Sequence, residues 1–306
     1  MPNDGRGRSS KKCHRVFILK LLLTGSGGFT GKHFAFEAKK AGHEVVALMA
    51  DLTDPIALRA ELLVCGPIDA VVHLAAISFV GHADDSAFYA VNTVGTTHLL
   101  TALAHLPAEM LPRKVLVASS ANVYGNCETS PINEAQLPAP VNHYAASKLA
   151  MEHMTRIFSD RLPIVIARPF NYTGPGQALS FLIPKIVSHF AKRAHRIELG
   201  NLHVEREFND VEWVCSTYLK LIETGKPGST YNVCSGVPYS IQSVIDQLTN
   251  LTGHIIHVDM NPALVRHNEV HRLCGDPTML IDCTGEVNSC SLSDTLSKML
   301  KNHAEY

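Results

Sequence analysis

The chain is 306 residues long, 46% hydrophobic and 18% charged, with a formal net charge of -1. That length can bury the core of one large α/β domain, or of a main domain with a smaller appended lobe. Near-neutral charge argues against nucleic acid as a partner, and no apolar run reaches the roughly 18 residues of a membrane span.

Residues 1–15 are polar and basic, with Arg6, Arg8, Lys11, Lys12 and Arg15. They hold too little apolar surface to order themselves, so a disordered tail is expected there. From residue 16 onward, short apolar runs alternate with helix-length segments. Strands are predicted at 16–23, 45–49, 70–74, 115–118 and 164–167, and helices at 30–41, 55–63, 87–104 and 143–158. Such alternation predicts βαβ units and an α/β fold, a doubly wound parallel sheet covered on both faces. After Arg168 the rhythm breaks over 169–176, where Pro and Gly cluster, and the last third mixes short strands such as 231–233 with helices such as 241–251. A dinucleotide-binding domain over 16–168 is expected. Residues 169–306 are expected to form mainly a smaller C-terminal α/β substrate lobe, with chain crossing back to the main domain.

The eight cysteines (Cys13, Cys65, Cys127, Cys215, Cys234, Cys274, Cys283 and Cys290) are scattered and form no CxxC pair. Reduced thiols of a cytoplasmic protein are the expectation. His254 and His257 stand three apart in a strand-like segment, where they point to opposite faces, so no metal site is expected.

Directly after the first strand, Thr24-Gly25-Ser26-Gly27-Gly28-Phe29-Thr30-Gly31 leads into a helix. Glycines three apart let the backbone turn sharply and approach a pyrophosphate lying on the helix N-terminus. Asp51-Leu52-Thr53-Asp54 follows the second strand closely, and either aspartate suits a helix N-cap. His73-Leu74-Ala75-Ala76 ends the third strand, where small residues let the backbone pass close to a ligand. Asn92 sits inside a predicted helix, a poor place for asparagine unless its amide has polar work. Tyr144 and Lys148 are four apart and share one helix face. A positive charge beside a phenol lowers its pKa, which is the chemistry such a pair suits.

Ser119-Ser120-Ala121-Asn122-Val123-Tyr124-Gly125 resembles the SSxxVYG segment of the extended short-chain dehydrogenase/reductases, the NAD-dependent epimerase/dehydratase family. With the glycine turn and YxxxK it stands in that family's order and spacing. The resemblance implies a Rossmann-type sheet and a catalytic triad of Ser120, Tyr144 and Lys148. It implies cofactor contacts from Gly25, Gly28, Phe29, Thr30, Gly31, Asp51, Leu52, Leu74, Ala75, Ala76, Asn92, Tyr144, Lys148 and Arg168. The cofactor is NADPH or NADH, since no acidic or basic selector is recognisable after the second strand.

Arg168-Pro169-Phe170-Asn171-Tyr172-Thr173-Gly174-Pro175-Gly176 resembles the RPxNxxGPG segment of the nucleotide-sugar branch, and Arg206-Glu207-Phe208 its RDF/REF motif. Arg266 and Glu269 before Gly275-Asp276 resemble its RPxE…GD ending. Implied substrate contacts are Ser78, Ser120, Asn122, Asn171, Lys185, Arg206, Arg266 and Glu269. Sugar 4,6-dehydratases of the branch carry an acidic pair where this chain has Ala121 and Asn122, which disfavours elimination of water. The whole most resembles the GDP-4-keto-6-deoxy-D-mannose reductases, with GDP-D-rhamnose or GDP-6-deoxy-D-talose as product. A 4-epimerase with tightly bound NAD and a non-catalytic dinucleotide-sensing module are the alternatives. Trp213 departs from the family, which usually has Asp there, and suits packing. The resemblance also implies a homodimer paired through helices 87–104 and 143–158.

Overall fold

The computed structural model describes residues 18–79, 83–265, 271–285 and 290–304. The first half runs β1 (Lys20–Thr24), α1 (Phe29–Lys40), β2 (Glu44–Leu48), α2 (Pro55–Cys65), β3 (Ala70–His73), α3 (Asp85–Phe88), a π-helical segment (Tyr89–Gly95), α4 (Thr96–Ala104), β4 (Lys114–Ala118), α5 (His143–Arg156) and β5 (Ile164–Pro169). The second half runs β6 (Tyr172–Thr173), α6 (Leu182–Ala191), β7 (Arg196–Leu199), β8 (Glu205–Arg206), β9 (Asn209–Asp210), α7 (Val211–Thr224) and β10 (Thr230–Val233). It continues with β11 (Tyr239–Ser240), α8 (Ile241–Thr252), β12 (His257–Met260), β13 (Arg272–Leu273), α9 (Thr278–Thr284) and α10 (Leu292–Ala304).

Six strands form one sheet in the order β10-β5-β4-β3-β1-β2, every neighbouring pair parallel. This is the Rossmann-like architecture expected. Helices cover both faces, so the strands are continuously apolar. Along β1, Leu21 and Leu23 enter the core beneath α1 and α7 with Phe34 and Tyr218. Leu22 points the other way, into the core beneath α2, α4 and α5 with Leu58, Leu100 and Met151. Period-two alternation thus feeds two cores from one strand. The strand order reverses between β1 and β3, and ligands of open α/β sheets bind outside the carboxyl ends of such a pair.

Residues beyond Pro169 do not stay together. α7 and β10 return to the main sheet, where Val211, Val214, Tyr218 and Val233 join its core, and Leu280 of α9 follows them. A separate core lies between α6, α8 and α10, with Ile186, Phe190, Val244, Leu248 and Leu296 buried together. The strands β7 and β12 pair in parallel beside it.

Two predicted elements need correction. The first strand starts at Lys20, past Ile18, which is 74% exposed, and the Lys20 amide and ammonium are tied to Asp69 and to the Cys65 carbonyl; residues 16 and 17 of the expected strand lie outside the described residues. The predicted helix 87–104 is broken in three, because its centre winds as a π-helix around buried Asn92. Trp213 is buried in the core beside α1, and the α7 N-cap is Asp210, which accepts from the Glu212 and Trp213 amides at 2.8 and 3.3 Å.

Candidate active site

The glycine turn sits at the end of β1, over the first residues past β3. Gly25 has φ +70°, and a Cβ there would lie 2.7 Å from the Ala75 nitrogen. A Cβ on Gly31 would collide with the Gly25 carbonyl oxygen. The turn closes through Gly28 N–H donating to that oxygen at 3.0 Å. Gly28 is also the N-cap of α1, and no side chain caps this helix. The first-turn amides and the positive end of the helix dipole are therefore left for a ligand, a fit for a dinucleotide pyrophosphate. Phe29 stacks on Tyr172 at 6.3 Å, and the Thr30 hydroxyl bonds the Tyr172 phenol at 2.8 Å, locking the turn onto the segment after β5. Gly31→Ala is expected to raise the dissociation constant for NADPH by about tenfold or more, as read by fluorescence titration.

After β2, Asp51 is exposed and accepts from the Thr53 amide and hydroxyl at 2.8 Å, which holds its carboxyl below the usual range. Asp54 is the α2 cap, accepting from the Ile56 and Ala57 amides at 3.0 Å. Leu52 is buried against Gly95, where a Cβ would meet its side chain.

A run of hydrogen bonds joins the turn to the π-segment. Leu74 and Ala75 amides donate to Thr24 Oγ1 at 3.1 and 3.0 Å. Thr24 Oγ1 lies 2.8 Å from His73 Nδ1, and His73 Nε2 lies 2.7 Å from Thr96 Oγ1. Thr96 in turn donates to the Asn92 carbonyl at 2.6 Å. With its only proton so committed, Thr96 must accept from His73, so the imidazole carries its hydrogen on Nε2 and accepts from Thr24 on Nδ1. Burial, aided by the Lys148 charge, pulls the His73 pKa down to about 3, which keeps that neutral tautomer. Asn92 accepts from the Ile77 amide at 2.9 Å and donates to the Ile77 carbonyl and Ser147 Oγ, both at 3.1 Å. Asn92, expected as a cofactor contact, is fully buried, and its amide braces the loop after β3 against α5.

The catalytic candidates converge where α5 crosses the end of β4. Ser120 caps a short 3-10 turn and accepts from Asn122 N and Nδ2 at 3.2 and 3.1 Å. Tyr144, edge-on to Phe88 at 6.0 Å, is buried, which raises its pKa, and a hydrogen bond from the Ser120 side opposes the rise. Lys148 Nζ donates to the Ala118 carbonyl at 2.8 Å. Burial draws the Lys148 pKa down to about 8, against the pull of Glu152. Desolvation is the larger of the two effects on Tyr144 and the Ser120 hydrogen bond the smaller.

Sequence reasoning missed the polar layer beneath this group. Glu152, fully buried, accepts from Ser119 Oγ at 2.6 Å and from Arg168 Nε and Nη2 at 2.8 and 2.6 Å. Arg168 Nη1 donates to the Tyr124 phenol at 2.9 Å, and Tyr124 to Asn232 Oδ1 at 2.7 Å. Arg168, expected to touch the cofactor, spends three donors inside the protein and is 3% exposed, and its side chain braces this layer. The local signal was a Glu four residues past Lys148, on the same helix face.

On the substrate side, Ser78 and Asn171 are exposed, and the Asn171 carbonyl accepts from the Asn209 amide at 2.9 Å. Lys185 donates to the Glu198 carbonyl at 2.8 Å and Arg206 to that of Glu205 at 2.8 Å. Glu207, the middle of REF and also missed, is buried and accepts from the Gly275 amide at 2.7 Å, the Ser235 amide at 2.7 Å and Asn209 Nδ2 at 3.0 Å. It pins the ends of β9, β10 and β13 together. Phe79, past β3, meets Phe181 at the start of α6 edge-on at 5.8 Å. Arg266 and Glu269 lie outside the described residues, as does the basic tail.

Residues 36–299 match the family described as GDP-mannose 4,6 dehydratase. The GDP-6-deoxy-D-talose 4-dehydrogenase of Aggregatibacter actinomycetemcomitans is 37% identical, over 93% of this chain and 98% of that protein. The GDP-6-deoxy-D-mannose reductase of Pseudomonas aeruginosa is 35% identical, over 92% of this chain and 96% of that protein. The structure of RMD from Pseudomonas aeruginosa complexed with NADPH superposes with a TM-score of 0.85 at 32% identity, covering 94% of this chain and 98% of that one. A Burkholderia cenocepacia protein provisionally named an epimerase superposes with a TM-score of 0.88 at 44% identity, covering 94% and 99%.

Proposed function

Because the chain belongs to the GDP-mannose 4,6-dehydratase family, we propose that it works as a nucleotide-sugar 4-keto reductase. The substrate is GDP-4-keto-6-deoxy-D-mannose, and the product is GDP-D-rhamnose or its C4 epimer GDP-6-deoxy-D-talose. The observation that carries this reading is the buried group Ser120, Tyr144 and Lys148 beside Ala121 and Asn122. The first three supply what carbonyl reduction needs. The last two have no proton to give or take, so the site lacks what elimination of water needs.

When bound, NADPH or NADH supplies the hydride. The glycine turn and the α1 N-terminus hold its pyrophosphate. Ser120 donates to the C4 oxygen and fixes it against Tyr144. The Tyr144 phenol, kept protonated by burial, gives that oxygen its proton as the C4 carbon is reduced. Lys148 holds the ribose and offers the positive charge that settles the phenolate left behind. We assign the substrate lobe to α6, α8, α10 and the β7–β12 pair, with Asn171, Lys185 and Arg206 at its boundary.

The chain is read as a cytoplasmic homodimer. Its seven described cysteines are free, and Val94 and Ile157 stand exposed, one on the π-segment and one at the end of α5, the helices expected to pair. Among the described residues no helix is long and apolar enough to cross a membrane.

The test is to mix purified protein with GDP-4-keto-6-deoxy-D-mannose and follow NADPH and NADH absorbance in parallel. Stoichiometric oxidation of either cofactor is expected, with the C4 configuration read by NMR of the product. The Burkholderia neighbour's name, an epimerase, favours a second reading, which for this chain is a nucleotide-sugar 4-epimerase. No net consumption, together with NAD released only on denaturation, would move the assignment there.

A further inference from the structure

Helix α5 grips the end of β4 at two successive turns. Lys148 donates to the Ala118 carbonyl at 2.8 Å, and one turn on, Glu152 accepts from Ser119 Oγ at 2.6 Å. The next residue of that strand end is Ser120, so both grips fix where its hydroxyl meets Tyr144. Among the described residues, Glu152 is also the only carboxylate acting on Lys148. Other groups around the ammonium leave it little support. On its own helix stands Tyr144, a neutral phenol held up by burial, and the Met151 sulfur at 3.9 Å. On β3 stands His73, neutral and committed to two threonines. On β4 there is a backbone carbonyl, and on β5 Arg168, reached through the Glu152 it shares.

We propose that Glu152 is a positioning residue of the reaction, which registers Ser120 against Tyr144 through Ser119 and supplies the counter-charge for the Lys148 ammonium. Burying an ammonium is costly unless a negative charge stands near it, and a carboxylate one helical turn away meets that need. Arg168 is the bidentate partner of the Glu152 carboxylate, with half-exposed Arg156 at 3.6 Å on the outer side. The arginine thus neutralises the carboxylate in part, and the remainder of its field falls on Lys148. Burial draws the lysine down to about 8 even with Glu152 opposing, so loss of that charge moves its proton loss toward neutrality.

This deepens the reductase reading and rests on it, but its test needs no substrate. Lysine is labelled with 13C at Cε, and the Lys148 signal is identified by its disappearance in Lys148→Met. The wild-type midpoint is expected near 8. Glu152→Gln is expected to lower it by about one pH unit or more, and to carry the alkaline limb of kcat/KM with it: little loss near pH 6, about fivefold or more near pH 8. Ser119→Ala, which keeps the charge, is expected to leave the midpoint in place and to lower kcat several-fold. Should Glu152→Gln not fold, Glu152→Gln/Arg168→Gln leaves no guanidinium without its carboxylate and is expected to show the same fall. An unmoved Lys148 midpoint in whichever variant folds overturns the counter-charge, and an unchanged kcat in Ser119→Ala overturns the grip. Failure of the wild type to oxidise NADPH with the 4-keto sugar would instead overturn the reductase reading and leave the titration standing.

Discussion

Tyr144→Phe is expected to lower kcat for 4-keto reduction by about 100- to 10,000-fold, equivalent to roughly 3–5 kcal/mol of transition-state stabilisation. The ring keeps its edge contact with Phe88 and its place in the helix, so binding of NADPH and thermal stability are expected to hold. What disappears is the phenol hydroxyl beside Ser120 that gives the C4 oxygen its proton. Burial holds that proton above the ordinary phenol range, so in the reducing direction the acid is loaded across the neutral range. Lys148 loses its charge as pH rises through about 8, so wild-type activity is expected to fall on the alkaline side for the lysine and not for the tyrosine. Steady-state rates from pH 6 to 9.5, with NADPH affinity measured separately, check both statements. A Tyr144→Phe variant within tenfold of wild type would remove the phenol from the mechanism.

The largest effect on stability is expected from Arg168→Met. The guanidinium gives two hydrogen bonds to Glu152 and one to Tyr124, and it lies 4.8 Å over the Tyr124 ring. Removing it leaves a fully buried carboxylate with Ser119 and a more distant Arg156. Breaking one partner of a buried pair costs about 3–5 kcal/mol, because the other charge remains unpaired. Replacing both partners by apolar groups is often near neutral. Arg168→Met/Glu152→Leu is therefore expected to recover part of the loss in urea unfolding, the Lys148 ammonium being left without Glu152, while staying poor in catalysis. That split between stability and rate is the result to look for. Equal stability of the two variants would mean that the pair is not electrostatically coupled in the folded protein.

Much of this arrangement was legible because it is local. The glycine turn, SSxxVYG and YxxxK are each short runs on one strand end or one helix face, and their resemblance to the family's segments is what pointed to a site there. The sheet was legible for the same reason, since Leu21, Leu22 and Leu23 can only be a strand buried on both sides. What escaped depends on partners far apart in sequence. Glu152 is explained by Arg168, sixteen residues on, and Tyr124 by Asn232, 108 residues on. Glu207 reaches Gly275 across 68 residues. No periodicity reports such pairs, and a buried charge looks like a surface charge until its counter-charge is found. The π-segment escaped for a related reason: Asn92 is a poor helix former that stays because Ile77 and Ser147 need it there.

Directionality in the Thr24–His73–Thr96 run has a consequence for anyone transplanting this cofactor turn. Every hydroxyl proton along it points one way, from the Leu74 and Ala75 amides at one end to the Asn92 carbonyl at the other. Swapping one member for a residue of the same shape reverses or deletes an arrow, and its neighbours cannot compensate without a proton they do not have. Thr24, His73 and Thr96 therefore form a single inheritable unit, 72 positions from end to end in the chain. A chimaera that borrows the glycine turn alone would import a threonine with no imidazole to receive its hydrogen. One that borrows all three should carry the turn's geometry with it.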